Sequence, residues 1–76
     1  MRVQDKVIVV TGGASGIGKA MCLRFHQEGA RGVAVADINE AGTREVAHSI
    51  GGLSFHCDVS DEADIVALVE ETERRF

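Results

Sequence analysis

The 76-residue chain contains no proline, tyrosine or tryptophan, and only two cysteines and three phenylalanines. With no proline, and no stretch dominated by serine or by one sign of charge, it offers no linker. It therefore reads as one unit over residues 1–76 with no internal boundary. The longest unbroken apolar run, residues 7–10, falls far short of the ~20 residues a membrane span requires. The N-terminus lacks the apolar core of a signal peptide, so no membrane association is expected and a cytoplasmic location is. Eight Lys and Arg stand against twelve Asp and Glu, a net charge of -4, and the basic residues are scattered. A nucleic-acid surface needs them clustered and in excess, so that function class is excluded. Cys22 and Cys57 are expected to be reduced thiols, and neither has partners at metal-ligand spacing, so no metal is expected.

What is present is a globular composition, 45% hydrophobic and 26% charged, with nine glycines. A domain of about 60 residues buries only about 60% of the surface its unfolded chain exposes, so stability is a real constraint at this size. The β-branched run at residues 6–10 ends at a glycine cluster and reads as a buried strand of a parallel sheet. Ile17, Ala20, Met21 and Phe25 then recur at helical spacing toward Gly29, which is placed to end a helix. Residues 33–36 form a second apolar run ending at Asp37, after which Asn39 caps a helix with Val46, Ala47 and Ile50 facing inward. Gly51 and Gly52 close it, and residues 53–57 read as a third strand. Ser60, followed by Asp61 and Glu62, starts a last helix bearing Ile65, Leu68 and Val69 and running to the final residue. Strands alternating with helices predict an α/β fold: a Rossmann-like βαβαβα unit, parallel, with helices on both faces.

The segment Thr11-Gly-Gly-Ala-Ser-Gly-Ile-Gly18 lies between a strand and a helix, where free N–H groups and the helix dipole make an anion site. Gly12 permits the tight turn, Gly16 lets a pyrophosphate approach the backbone, and Gly18 lets the helix pack closely. Nineteen residues beyond Gly18 stands Asp37, at the end of the second strand. Dinucleotide-binding folds place an acidic residue there, ~20 residues on, to accept hydrogen bonds from the ribose. A carboxylate in that position accepts from a 2′-hydroxyl and repels a 2′-phosphate, which favours NAD over NADP. Two unit charges 4 Å apart interact by about 1 kcal/mol in water and about 4 kcal/mol near a protein surface, so the discrimination is roughly tenfold or more. A nucleoside-triphosphate loop, GxxxxGK[ST], is the competing reading of residues 13–20. It fails because Ala20 has no hydroxyl for Mg²⁺ and the motif gives Asp37 no role, so Lys19 reads as a surface lysine.

Thr11-Gly12-x-x-x-Gly16-Ile17-Gly18 after a first strand, with Asp37 and Cys57-Asp58-Val59 further on, resembles the short-chain dehydrogenase/reductase family over the whole chain. The resemblance implies that Asp58 meets the adenine amino group, that Val59 borders the adenine and that Ile38 flanks it. It also implies that Ser15 and the Ile17 N–H meet the ribose and phosphate region. The cofactor-binding set is then Gly12, Ser15, Gly16, Ile17, Gly18, Asp37, Ile38, Asp58 and Val59, and the cofactor NAD. Residue spacing alone gives Ile17 a second role in the helix core, compatible with the first because its N–H and side chain point differently.

In that family the chemistry resembles acid–base catalysis by a Tyr-x-x-x-Lys pair with a Ser and an upstream Asn, and this chain has no tyrosine. His26 and His48 fall in predicted helices and His56 inside a strand, away from the edge where open α/β sheets bind ligands, so all three read as structural. No catalytic residue is therefore assigned. The chain reads as the N-terminal, NAD-binding portion of an oxidoreductase acting on a small alcohol or carbonyl, with a genuine start and an end cut before the catalytic half. On this reading the 76 residues alone are inactive, and the full-length protein is a homo-oligomer. The alternative function is a non-catalytic nucleotide-binding module. The resemblance further places the first strand at the centre of the complete sheet, so its far edge is expected to be uncovered here.

Overall fold

The computed structural model describes residues 3–76. Its elements alternate as β1 (Val7–Thr11), α1 (Gly16–Gln27), β2 (Gly32–Asp37), α2 (Glu40–Ile50), β3 (Leu53–His56) and α3 (Glu62–Arg75). The three strands are parallel in the order β1-β2-β3, with Val10 opposite Val35 and Asp37 opposite His56. This is the Rossmann-like α/β arrangement that the alternating pattern predicts. No helix among the described residues is long and apolar enough to cross a membrane.

The period of two along β2 divides the core. Val33 and Val35 face Val10 and Ile8 of β1, Cys22 of α1, and Val46, Ala47 and Ile50 of α2. Ala34 and Ala36 point the other way, to Cys57, Leu68 of α3 and the partly buried Leu53 and Phe55. Helices therefore cover both faces, and β2, central and buried along nearly its whole length, is the spine. Its lower end is pinned by the C-terminal residue: a Cβ on Gly32 would come within 2.5 Å of the Phe76 ring.

Helix ends follow local chemistry. Asn39 caps α2 by accepting from the Gly42 N–H at 3.0 Å, and Gly51 ends it in the left-handed conformation. The cap of α3 is Asp61, whose carboxylate accepts from the Ala63 N–H, rather than Ser60. The Ser60 hydroxyl instead turns back to Asp58, to which it donates.

Packing expectations are corrected first in the helices and then in the sheet. The buried stripe of α1 runs through Gly18 and Cys22 with Phe25 beside it, while Ile17 is 80% exposed and Ala20 and Met21 are exposed as well. A Cβ on Gly18 would stand 2.0 Å from the Gly12 carbonyl oxygen, so only the glycine face of the helix can approach the loop. That contact fixes the helix rotation and turns Ile17 and Met21 about one residue, ~100°, away from the core. In α3, only Leu68 of the predicted apolar set is buried; Ile65 and Val69 are exposed.

The second correction concerns β1, which reads locally as a buried strand. It is the edge of the sheet, with Val7 39% and Val9 42% exposed, beside a depression of about 450 Å³ lined also by Met21 and Phe25. The uncovered edge expected from the family resemblance is thus present. An apolar edge strand is a template for pairing with another chain. The 76-residue polypeptide alone is expected to self-associate in sedimentation velocity, and Val9→Lys to shift it toward monomer. A monomeric wild-type chain that unfolds cooperatively would contradict this.

Candidate functional site

The C-terminal ends of all three strands converge on one cleft of about 200 Å³, lined by Gly12, Asp37, Ile38, Cys57, Asp58 and Val59. Five of these six were singled out from the sequence. The loop after β1 turns at Gly12, whose φ of +70° is the left-handed conformation that glycine adopts without strain. Ser15 then caps α1: its hydroxyl oxygen accepts from the Gly18 N–H at 3.3 Å and donates to the Gly12 carbonyl at 2.7 Å.

The loop is tied to the second strand by two bonds. The Gly13 N–H donates to the Ala36 carbonyl at 3.0 Å, and the Ala14 N–H to Asp37 Oδ2 at 3.0 Å. Asp37 Oδ1 accepts from the Asn39 N–H at 3.1 Å, so the same carboxylate also sets the start of α2. That start abuts the loop closely enough that a Cβ on Gly42 would be 2.7 Å from the Ala14 methyl.

These bonds leave the N–H groups of Gly16 and Ile17 without a partner among the described residues. A Cβ on Gly16 would touch nothing, so the space above this backbone is open. The first turn of α1 contains no acidic residue, whereas α2 begins with Glu40 and α3 with Glu62 and Asp64. The first turn of α1 therefore brings no carboxylate of its own to its free N–H groups, as suits an anion. Gly18 serves this geometry by packing against the loop at Gly12 and Gly13, rather than against the strand. Lys19, on the exposed side of α1, is a surface lysine.

At the opposite wall, β3 extends past its last residue through the Cys57 N–H, which donates to the Asp37 carbonyl at 3.0 Å. The chain then turns at Asp58. Ser60 donates its N–H at 2.9 Å and its hydroxyl at 2.6 Å to Asp58 Oδ1. These bonds, the hydroxyl first, hold the Asp58 carboxyl below the usual carboxylate range, with a smaller contribution from the charge of His56. Ile38, 63% exposed, and Val59, 58% exposed, give the cleft apolar walls beside the two carboxylates.

Two residues were misjudged from the sequence. His56 is the last residue of β3, opposite Asp37 in register, and so stands at the strand edge that the predicted strand end at residue 57 denied it. Cys57, given no role from sequence, lines the cleft while only 2% exposed. Burial, and then Asp64, Asp58 and Asp61, push its thiol pKa up, which makes it packing rather than a nucleophile. Among the described residues no group of side chains could hold a metal ion.

A loop of unpaired N–H groups at a helix N-terminus, with two acidic residues at neighbouring strand ends, fits a dinucleotide. Residues 6–76 match the family described as short chain dehydrogenase. The chain belongs to this family. It is 53% identical over 74 residues to short-chain dehydrogenase reductase ATA1 of Arabidopsis thaliana, covering 97% of this chain and 27% of that protein. The 3-ketoacyl-(acyl-carrier-protein) reductase of Brucella melitensis, solved complexed with NADH, superposes with a TM-score of 0.92 at 39% identity, over 97% of this chain and 31% of that one. A short-chain dehydrogenase/reductase from Burkholderia phymatum, solved with NAD, gives 0.88 at 25% identity, over 95% of this chain and 27% of that one. The chain thus spans less than a third of each of these family members.

Two outcomes test the geometry. Gly18→Ala must displace the Gly12 carbonyl, and overpacking of this kind costs about 1–3 kcal/mol; denaturant unfolding should show the loss. Ser60→Ala should raise the Asp58 pKa, read by carboxyl carbon NMR. Because the pKa of folded Asp58 is depressed, its contribution to stability is present above the unfolded-chain pKa and lost as pH falls through the folded value. The variant should therefore lose stability at neutral pH, and its difference from wild type should shrink as pH falls through the folded value; an unmoved Asp58 titration would refute the assigned cause.

Proposed function

We propose that this chain is the NAD-binding portion of an oxidoreductase that moves a hydride between a nicotinamide cofactor and a small alcohol or carbonyl compound. The observation that carries this reading is the single cleft joining Gly12 to Asp37, Ile38, Asp58 and Val59, beside a helix N-terminus with free N–H groups. In it Gly12, Ser15, Gly16, Ile17 and Gly18 form the pyrophosphate cradle, with the Gly16 and Ile17 N–H groups donating to phosphate oxygens. Ile38 and Val59 clasp the adenine, and Asp58 accepts from its amino group. Asp37 accepts from the ribose hydroxyls. The nicotinamide ring, when bound, carries the hydride; the residues of this chain hold and orient the other end of the molecule.

NAD is the cofactor in preference to NADP, because a 2′-phosphate at Asp37 would meet a carboxylate already fixed by two backbone donors. Asp37→Ala removes this repulsion but also releases the Ala14 N–H, so both cofactors should bind more weakly. The ratio of the two affinities separates the effects, since the loop contacts are common to both. The NAD/NADP affinity ratio of the full-length protein, by calorimetry, should fall about tenfold; an unchanged ratio would remove Asp37 from cofactor selection.

A non-catalytic nucleotide-binding module would use the same residues. Reduction of NAD by the full-length protein in the presence of alcohols separates the two readings.

A further inference from the structure

Asp58 is fixed at three of its four polar atoms. Oδ1 accepts both Ser60 bonds, at 2.9 and 2.6 Å, and the carbonyl oxygen accepts from the Asp61 N–H at 2.9 Å. Its own N–H, beyond the last sheet bond at Cys57, donates to Asp64 Oδ2 at 3.0 Å. Only Oδ2 of Asp58 has no hydrogen bond among the described residues.

Asp64 is the third residue of α3 after its cap, Asp61. A carboxylate there ordinarily turns back to the N–H of the cap residue, closing a reciprocal pair of bonds. Here the Asp61 N–H is already used by Asp58, and Asp64 reaches three residues further back. Ser60 sets the rotation of the Asp58 side chain, while Asp64 sets the main chain from which that side chain projects. Without Asp64 the turn and the Asp61 cap would remain, but the Asp58 N–H would lose its bond to the helix.

We infer that Asp64 is a positioning residue for recognition of the purine: by holding the Asp58 main chain it aims the unused Oδ2 at the 6-amino group of the bound dinucleotide. This rests on the assignment of Asp58 to the adenine under the proposed function. A carboxylate oxygen so aimed accepts from an amino group and repels a 6-oxo group, itself an acceptor. The acidic turn therefore selects a 6-aminopurine over a 6-oxopurine, and Asp64 supplies the precision of that selection.

The test compares binding of NAD and of nicotinamide hypoxanthine dinucleotide to the full-length protein by calorimetry, for wild type, Asp58→Ala, Asp64→Ala and Asp64→Asn. Hydrogen bonds to charged groups are strong enough for the wild type to prefer NAD by roughly tenfold or more, and Asp58→Ala should abolish the preference. Asp64→Ala should reduce it several-fold. Asp64→Asn keeps a carbonyl oxygen for the Asp58 N–H and should retain most of it. If wild type binds both dinucleotides equally, the adenine assignment of Asp58 fails, and the inference with it. If wild type and Asp58→Ala behave as expected but Asp64→Ala leaves the preference intact, or weakens both ligands alike, Asp64 is a helix cap only and the inference is overturned.

Discussion

The carboxylate of Asp37 is the joint on which the site depends. One oxygen takes the Ala14 N–H from the loop after β1, the other takes the Asn39 N–H that opens α2, and the neighbouring Ala36 carbonyl takes the Gly13 N–H. Two turns from separate βα units are thereby held to one strand end. The Gly18 contact with the Gly12 carbonyl, the rotation of α1 and the approach of Gly42 to Ala14 all presuppose a loop fixed in this place. A side chain commonly considered only for what it offers a ligand is here also part of the scaffold.

Much of this was legible in the sequence because the signals are local. Glycine clusters mark the turns after β1 and α2, Asn39 marks a cap, and the β-branched runs mark strands. Asp37 was legible because it ends a strand at the expected distance from the glycine loop, whereas Asp58 was singled out only through the family resemblance. What escaped were properties set by contact across the fold. The inward face of α1 was read as Ile17, Ala20, Met21 and Phe25 from apolar character; Phe25 does pack on the core, but a backbone approach at Gly18 turns the other three outward. No hydrophobicity pattern encodes a contact made by the absence of a side chain. Ser60 was read as a cap because serine suits that role; only the folded turn shows its hydroxyl committed to Asp58.

The two faces of the sheet also differ in a way that bears on the cleft. Valines face α1 and α2, whereas alanines face α3, which reaches the sheet through Leu68 alone among its buried apolar residues. At its ends α3 is held by the polar turn at Asp58 and by Phe76 against Gly32. Polar bonds thus take over a positioning task that a broader apolar face performs for α2.

The two walls of the cleft differ in how far apart in the chain their partners lie. Ala14 and Asp37 are separated by 23 residues, Asp58 and Asp64 by six. The entropic cost of closing a loop rises with its length, and non-local contacts form only once the intervening elements have met. The acidic turn is therefore a short-range structure, closed within the entry to α3, while the glycine loop is tied down only once β1 and β2 are paired. In chain terms, the wall at Asp58 is closed by neighbours and the wall at Gly12 by a distant strand.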